Sequence, residues 1–148
     1  MLRDEKGHFP AALVRAVSRL HAALLRISRG RLGRRIAGND MAVLVTRGRR
    51  SGDRHAVPLL FLREGDSIVV VASYGGRDRH PDWYRNLLAD PEAEIQIGAD
   101  RLRVRARTAG GDERRRLWER ATRAYAGYAE YQARTEREIP IVVLEPRR

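Results

Sequence analysis

Four clusters of residues hold side chains capable of chemistry. In Thr46-Arg47-Gly48-Arg49-Arg50-Ser51-Gly52, two glycines free the backbone to turn its N–H groups toward one point. Ser51 adds a hydroxyl and the arginines add charge, which together make an anion-binding concavity. The same string also suits a solvated basic hairpin. Val71-Ala72-Ser73-Tyr74-Gly75-Gly76 ends an apolar run in a small residue, a hydroxyl and a glycine pair. A flat ring could approach such a main chain closely and find donors at its edge; a flexible loop is the other reading. His80-Pro81-Asp82-Trp83-Tyr84-Arg85-Asn86-Leu87-Leu88 reads as a short aromatic helix, with Trp83 either core or cofactor wall and His80 either helix cap or catalyst. Tyr125, Tyr128 and Tyr131 recur every third residue. On a helix turning ~100° per residue they line one broad side, as packing or as phenols that face a substrate.

Composition narrows what these clusters can do. The chain has 148 residues, 43% of them hydrophobic, and no cysteine, which suits one ordinary folded domain over 1–148. Without cysteine there is no disulfide, thiolate-bound zinc, iron–sulfur cluster or thiol nucleophile, so redox chemistry would need a bound organic cofactor. The formal charge of +11 predicts attraction to phosphate, polycarboxylate, nucleic acid or anionic lipid. Lys6 is the single lysine, so the basicity is arginine, which grips phosphate and carboxylate with two prongs; a GC-rich genome would give the same bias. No apolar run approaches the ~20 residues of a transmembrane helix, and Arg15, Arg19 and His21 interrupt any signal-like stretch, so a cytoplasmic location is expected.

The elements that would position the clusters follow from periodicity. Residues 10–28 carry Leu13, Val17, Leu20, Leu24 and Ile27 at helical spacing opposite Arg15, Arg19 and Arg26. This basic amphipathic helix either covers a barrel end or lies on an anionic membrane. A connector to residue 40 leads into a β-rich body over 41–148. Strands are predicted at Met41–Arg47, at His55–Arg63 with Pro58 marking an edge or bulge, and, after the Glu64-Gly65-Asp66 turn, at Ser67–Ala72. A helix over Pro81–Ala89 stops at Asp90-Pro91, and strands Ala93–Gly98 and Leu102–Thr108 follow. In the second of these Leu102, Val104 and Ala106 face the core and Arg103, Arg105 and Arg107 face solvent. A helix over Asp112–Ala126, turning Leu117, Trp118 and Ala121 inward, precedes a final strand Ile139–Leu144. Consecutive strands are joined too tightly for parallel crossovers, so an α+β, mostly antiparallel split β-barrel with external helices is expected.

Taken together, Gly48-Arg49-Arg50-Ser51-Gly52, Pro58-Leu59, Val71-Ala72-Ser73, Gly75-Gly76, His80-Pro81, Trp83-Tyr84, Asn86-Leu87 and Ile139-Pro140-Ile141-Val142-Val143 resemble the deazaflavin-dependent nitroreductase family, whose fold is similar to FMN-binding split barrels. The resemblance covers about Met41 to Pro146. It implies coenzyme F420, a deazaflavin with a phosphate and an oligoglutamate tail, and hydride transfer to a small nitroaromatic, quinone or enone. By the resemblance Arg49, Arg50, Ser51 and Gly52 hold the phosphate and the start of the tail. His55, Pro58, Ala72, Ser73, Tyr74, Gly75 and Gly76 border the ring, and Trp83 supports the pocket. Ser73, Tyr125, Tyr128 and Tyr131 are the candidate catalytic groups, and no metal is required. The chain departs from the pattern at Tyr74, where lysine is common, and at His55, where arginine is frequent.

Competing expectations are a split barrel that binds FMN or haem, a non-catalytic coenzyme carrier, and a nucleic-acid-binding barrel using Arg101, Arg103, Arg105 and Arg107. The last lacks exposed aromatics between its arginines for base stacking. Pairing into a homodimer is an expectation from split barrels in general.

Overall fold

A computed structural model of the chain describes Arg15, Arg19, residues 35–36 and residues 39–147. The expected N-terminal amphipathic helix lies outside the described residues except for Arg15 and Arg19, which are helical and exposed. The strands are β1 (Arg35–Ile36), β2 (Asn39–Arg47), β3 (Arg54–Leu60), β4 (Leu62–Glu64), β5 (Ser67–Val71), β6 (Glu92–Ile97), β7 (Asp100–Thr108) and β8 (Ile141–Pro146). The helices are α1 (Asp82–Ala89), α2 (Gly111–Ala124) and α3 (Gly127–Ala133).

Every pairing is antiparallel, in the order β1-β2-β6-β7-β8-β5-β4 with β3 also on β2. The single strand predicted over His55–Arg63 is one pass of chain that changes partner at Phe61. Its first half pairs with β2 and its second half with β5, at opposite sides of the sheet. One residue cannot span an open sheet, so the sheet must curl until its two sides meet. That is the split barrel expected from the strand order. Pro58 pairs with Val43 of β2 and β3 has no second neighbour, which is where a residue without an N–H is tolerated.

The sheet separates two apolar layers. Ala42, Leu44, Ile68, Val70, Ile95, Val104, Val142 and Leu144 fill the barrel interior, and α1 adds Trp83, Tyr84 and Leu87. On the other face Val69, Val71, Ile141 and Val143 pack against Leu117 and Ala121 of α2 and Tyr128 of α3. Strands covered on both faces read as continuous apolar runs, which is why Met41–Val45 and Ile68–Ala72 lack alternation. β7, solvated on one side, does alternate. Its predicted inward residue Leu102 is nonetheless 37% exposed, because it sits next to the β6–β7 hairpin end, opposite Ile95. Trp118, also predicted inward, is only partly buried and lies beneath the Arg114 guanidinium at 5.2 Å. α2 is tied to the β4–β5 hairpin through Glu64, which accepts from Arg116 at 2.7 Å and from Arg120.

Leu44 is fully buried at the centre of β2, and its replacement by alanine leaves a cavity between two strands that cannot close. Leu44→Ala should therefore cost about 2–5 kcal/mol in urea unfolding with little change in the slope.

Candidate active site

Strand direction decides what meets at each end of the barrel. Counting antiparallel steps from β2 through β6, β7 and β8 to β5 makes β2 and β5 run the same way. The turn after β2, the loop after β5 and the chain leading into β8 therefore share one end. A cleft of about 860 Å³ opens there, walled by Arg49, Arg50 and Ser51 from the first, by Ser73, Tyr74, Gly75 and Arg77 from the second, and by Tyr125, Tyr128 and Tyr131. His55 and Pro58 of β3 and Trp83 of α1 also line it, as do Arg15 and Arg19. Of the residues singled out in the sequence, Gly52, Ala72 and Gly76 are absent from this lining. Gly52 lies in the turn at φ +75°, Ala72 is fully buried, and Gly76 packs against α3.

The arginine turn is closed by Gly48 N–H donating to Asp53 O at 2.7 Å and Gly52 N–H donating to Gly48 O at 2.8 Å. A Cβ at Gly48 would fall 2.7 Å from both His55 Nε2 and Ser51 Oγ, so these two side chains pack close against the glycine. Asn86 on α1, fully inside the protein, holds the turn: its Oδ1 accepts from Arg49 N at 3.2 Å and Nη1 at 2.9 Å, while its Nδ2 donates to Thr46 Oγ1 at 3.2 Å. Arg49 also reaches Asp82 at 3.5 Å. The two arginines thus have different work. Arg49 fastens the turn to α1, whereas Arg50 is exposed and enters no ion pair among the described residues.

The loop after β5 makes a 3-10 turn over Tyr74–Gly76, in which Tyr74, Gly75 and Gly76 take φ values of 48°, 63° and 79°. Such a run of left-handed residues is inexpensive only with glycine, and Tyr74 is held in it by its neighbours. At Gly76 a Cβ would lie 2.6 Å from Tyr131 O, so the loop and α3 touch backbone to backbone. Arg137, half-buried, ties both ends of the loop. It donates to Ala72 O at 3.3 Å, to Ser73 O at 2.7 Å and to Arg77 O at 2.7 Å, and to Nδ1 of His80 at 3.1 Å. A guanidinium can only donate, so that nitrogen of His80 must accept and the imidazole is neutral. Burial first, then the charges of Arg137 and Arg85, hold His80 below its usual range. His80 is thus a partner for Arg137 and stacks edge-on against Tyr84 at 4.9 Å.

The tyrosines do not lie on one helix, although their spacing of three suggested it. α2 ends at Ala124, Tyr125 is extended at φ −146° and ψ 101°, and α3 carries Tyr128 and Tyr131. At the break the Tyr125 ring lies where a Cβ at residue 127 would sit, 2.6 Å away, and Gly127 leaves room for it. The break brings the three rings within 5.0–6.4 Å of one another. Tyr125 and Tyr131 share a hydroxyl–hydroxyl hydrogen bond of 3.1 Å. Burial pushes Tyr131 up to about 12, with the Tyr125 hydrogen bond adding to it, and raises Tyr128 further.

On the far side of the barrel, half of the β7 arginine row is neutralised. Arg105 pairs with Glu92 at 2.9 Å, and Arg107 pairs with Glu113 at 2.5 Å and Glu145 at 3.0 Å. Hydrogen bonding to Glu113 raises Arg107 above its already high range. Arg101 and Arg103 remain exposed and enter no ion pair among the described residues. In the sequence Asn86 stands out only within the Asn86-Leu87 motif, with no role of its own, and Arg137 does not stand out, because their roles depend on contacts 37 and 57–65 residues away in sequence. Among the described residues no helix is long and apolar enough to cross a membrane.

The chain is similar to several known proteins. Residues 17–146 match the model of a family described as F420H(2)-dependent quinone reductase. The F420H(2)-dependent quinone reductase Rv1261c of Mycobacterium tuberculosis is 40% identical over 133 residues, 87% of this chain and 89% of the relative. Rv3178 of the same organism is 47% identical over 105 residues, 71% of this chain and 88% of the relative. A solved F420-H2 dependent reductase superposes with a TM-score of 0.66 at 40% identity, over 71% of this chain and 93% of that one.

The Arg137–His80 contact has a pH signature. A histidine held below its unfolded value of 6.5 binds fewer protons folded than unfolded. Its share of stability is therefore intact above pH ~6.5 and is lost as pH falls below it. The melting temperature should be flat from pH 8 to 6.5 and decline from 6.5 to 5, and His80→Asn should flatten the decline; equal slopes in both proteins would remove His80 as its source.

Proposed function

The chain belongs to the F420H(2)-dependent quinone reductase family, and we propose that it passes hydride from reduced coenzyme F420 to a quinone-like acceptor. The observation that supports this most strongly is that an arginine-bearing turn, a glycine-bearing loop and a tyrosine cluster, distant in sequence, wall a single cleft. The cleft suits the coenzyme chemically: cations at one side for phosphate and glutamates, a close main-chain approach at Gly75, and aromatic surface opposite.

The coenzyme, when bound, supplies the hydride at its deazaflavin ring. The protein's own contribution is holding and proton supply. Arg50, in no ion pair among the described residues, is the cation offered to the phosphate, while Arg49, engaged by Asn86 and Asp82, keeps the turn in shape. Ser51 Oγ accepts from Asp53 N at 3.1 Å and so stiffens the same turn. Pro58, Ser73, Tyr74 and Gly75 border the ring, with Trp83 behind. Hydride addition to a quinone leaves an oxyanion that must gain one proton to become the hydroquinone. Tyr131, pushed up to about 12, keeps its proton at neutral pH and can donate a hydrogen bond to that oxygen or give the proton up. Its bond to Tyr125 orients the hydroxyl and offers a path for replenishment. Tyr128, only 7% exposed, serves as the wall against which the other two rings are set.

Fluorescence titration with oxidised coenzyme, followed by quinone-dependent reoxidation of the reduced form, tests the reading. A carrier would bind without accelerated reoxidation, and an FMN or haem protein would prefer those ligands. Tyr131→Phe should lower kcat with a quinone about tenfold or more while leaving the coenzyme Kd within about twofold. Unchanged turnover would take Tyr131 out of the proton step.

A further inference from the structure

Arg77 follows the glycine pair, lines the cleft and is half-buried. Its Nη2 is buried and has no hydrogen-bond partner. Its guanidinium lies 5.2 Å from the centre of the Tyr74 ring, and that of Arg79 lies 5.9 Å from the same ring. Neither arginine enters the ion pairs among the described residues. Asp78, between them in sequence, is exposed and acts on Arg137. The main-chain oxygen of Arg77 is held by Arg137 at 2.7 Å, so the base of the side chain is fixed as well.

An unmatched buried guanidinium N–H is costly. Elsewhere the partly buried Arg49 and Arg137 find carbonyl oxygens, and Arg114, whose buried Nε also makes no hydrogen bond, at least has the Glu138 carboxylate 2.8 Å away. At Arg77 the partner is missing at a place that borders a cleft, next to a neutral tyrosine. We propose that Arg77, shelved on the Tyr74 ring, is a coenzyme-binding residue that donates to an anionic or carbonyl oxygen of the bound deazaflavin. The inference rests on the reading of the cleft as a deazaflavin site. The phenol ring fixes the guanidinium plane by cation–π contact, so the donor is ordered before the ligand arrives and little side-chain entropy is lost on binding.

This role makes the residue a liability in the free protein and an asset in the complex, and the two states can be measured separately. Arg77→Gln should leave the melting temperature of the ligand-free protein unchanged or raised. It should also weaken the fluorescence-measured Kd for oxidised coenzyme about tenfold and shrink the coenzyme-induced rise in melting temperature. Arg77→Lys should recover part of the affinity. Tyr74→Phe should retain it and Tyr74→Leu lose it, because the shelf needs an aromatic face and not a hydroxyl. The acceptor KM, read with coenzyme saturating, should not move. Unchanged coenzyme affinity in Arg77→Gln, or a rise confined to the acceptor KM, would overturn the proposal. A wild-type protein that binds no deazaflavin would instead overturn the reading of the cleft.

Discussion

The structure depends on one strand serving two partners. Residues 54–64 run as a single pass whose first half completes β2 and whose second half completes β5. Since β2 and β5 lie at opposite sides of the remaining sheet, that pass forces the sheet to curl. Antiparallel parity then puts the outgoing ends of β2 and β5 together. The cleft is a consequence: wherever the turn after β2 and the loop after β5 carry binding residues, those residues face one space. Phe61, where the partner changes, is the point at which local sequence is converted into global closure.

This also explains what could be read in advance. Strand identity was legible because β-branched runs bounded by glycine, proline and aspartate are local facts, and the parity argument needs only their order. The arginine turn and the glycine loop were legible because glycine at a forced φ or a forced approach leaves a local mark, as Gly48 and Gly76 do. The tyrosine break was not. A spacing of three suits a continuous helix, and nothing near Tyr125 announces a stop except Gly127, whose need for glycine appears only once the Tyr125 ring is folded back onto it. Likewise Arg49 and Arg50 are equivalent in sequence and become different only when α1 brings Asn86 to one of them. The N-terminal expectation concerns residues outside those described, apart from Arg15 and Arg19.

The charge of +11 is easier to interpret once its placement is known. Around α2, and for Arg105 and Arg107 of β7, arginines are spent on acidic side chains in the usual manner of solvated surfaces, where each pair contributes little. Arg50 and Arg77 line the cleft and enter no ion pair among the described residues. Unpaired arginines are not confined to the cleft, since Arg101 and Arg103 on β7 also enter no ion pair among the described residues; it is the position of Arg50 and Arg77 on the cleft wall, and not net charge, that marks them as candidates for an anion.

Rigidity and reactivity are supplied by separate residues. Asn86 and Arg137 touch main chain and fasten the two loops from behind, and neither needs to meet a ligand to act. Arg50, Tyr131 and the end of Arg77 are left with spare donors toward the cleft. A donor can be kept poised at fixed geometry only if something else bears the load of holding its backbone, and here each poised group has such a partner: Arg49 with Asn86 beside Arg50, the Arg137 clamp beneath Arg77, and Tyr125 hydrogen-bonded to Tyr131. The Gly76–Tyr131 backbone contact joins the last two of these supports, so the glycine loop and the tyrosine cluster, the proposed coenzyme and acceptor walls, are mechanically tied. For a reaction that requires two flat molecules to be held face to face, that shared support is what fixes one relative to the other.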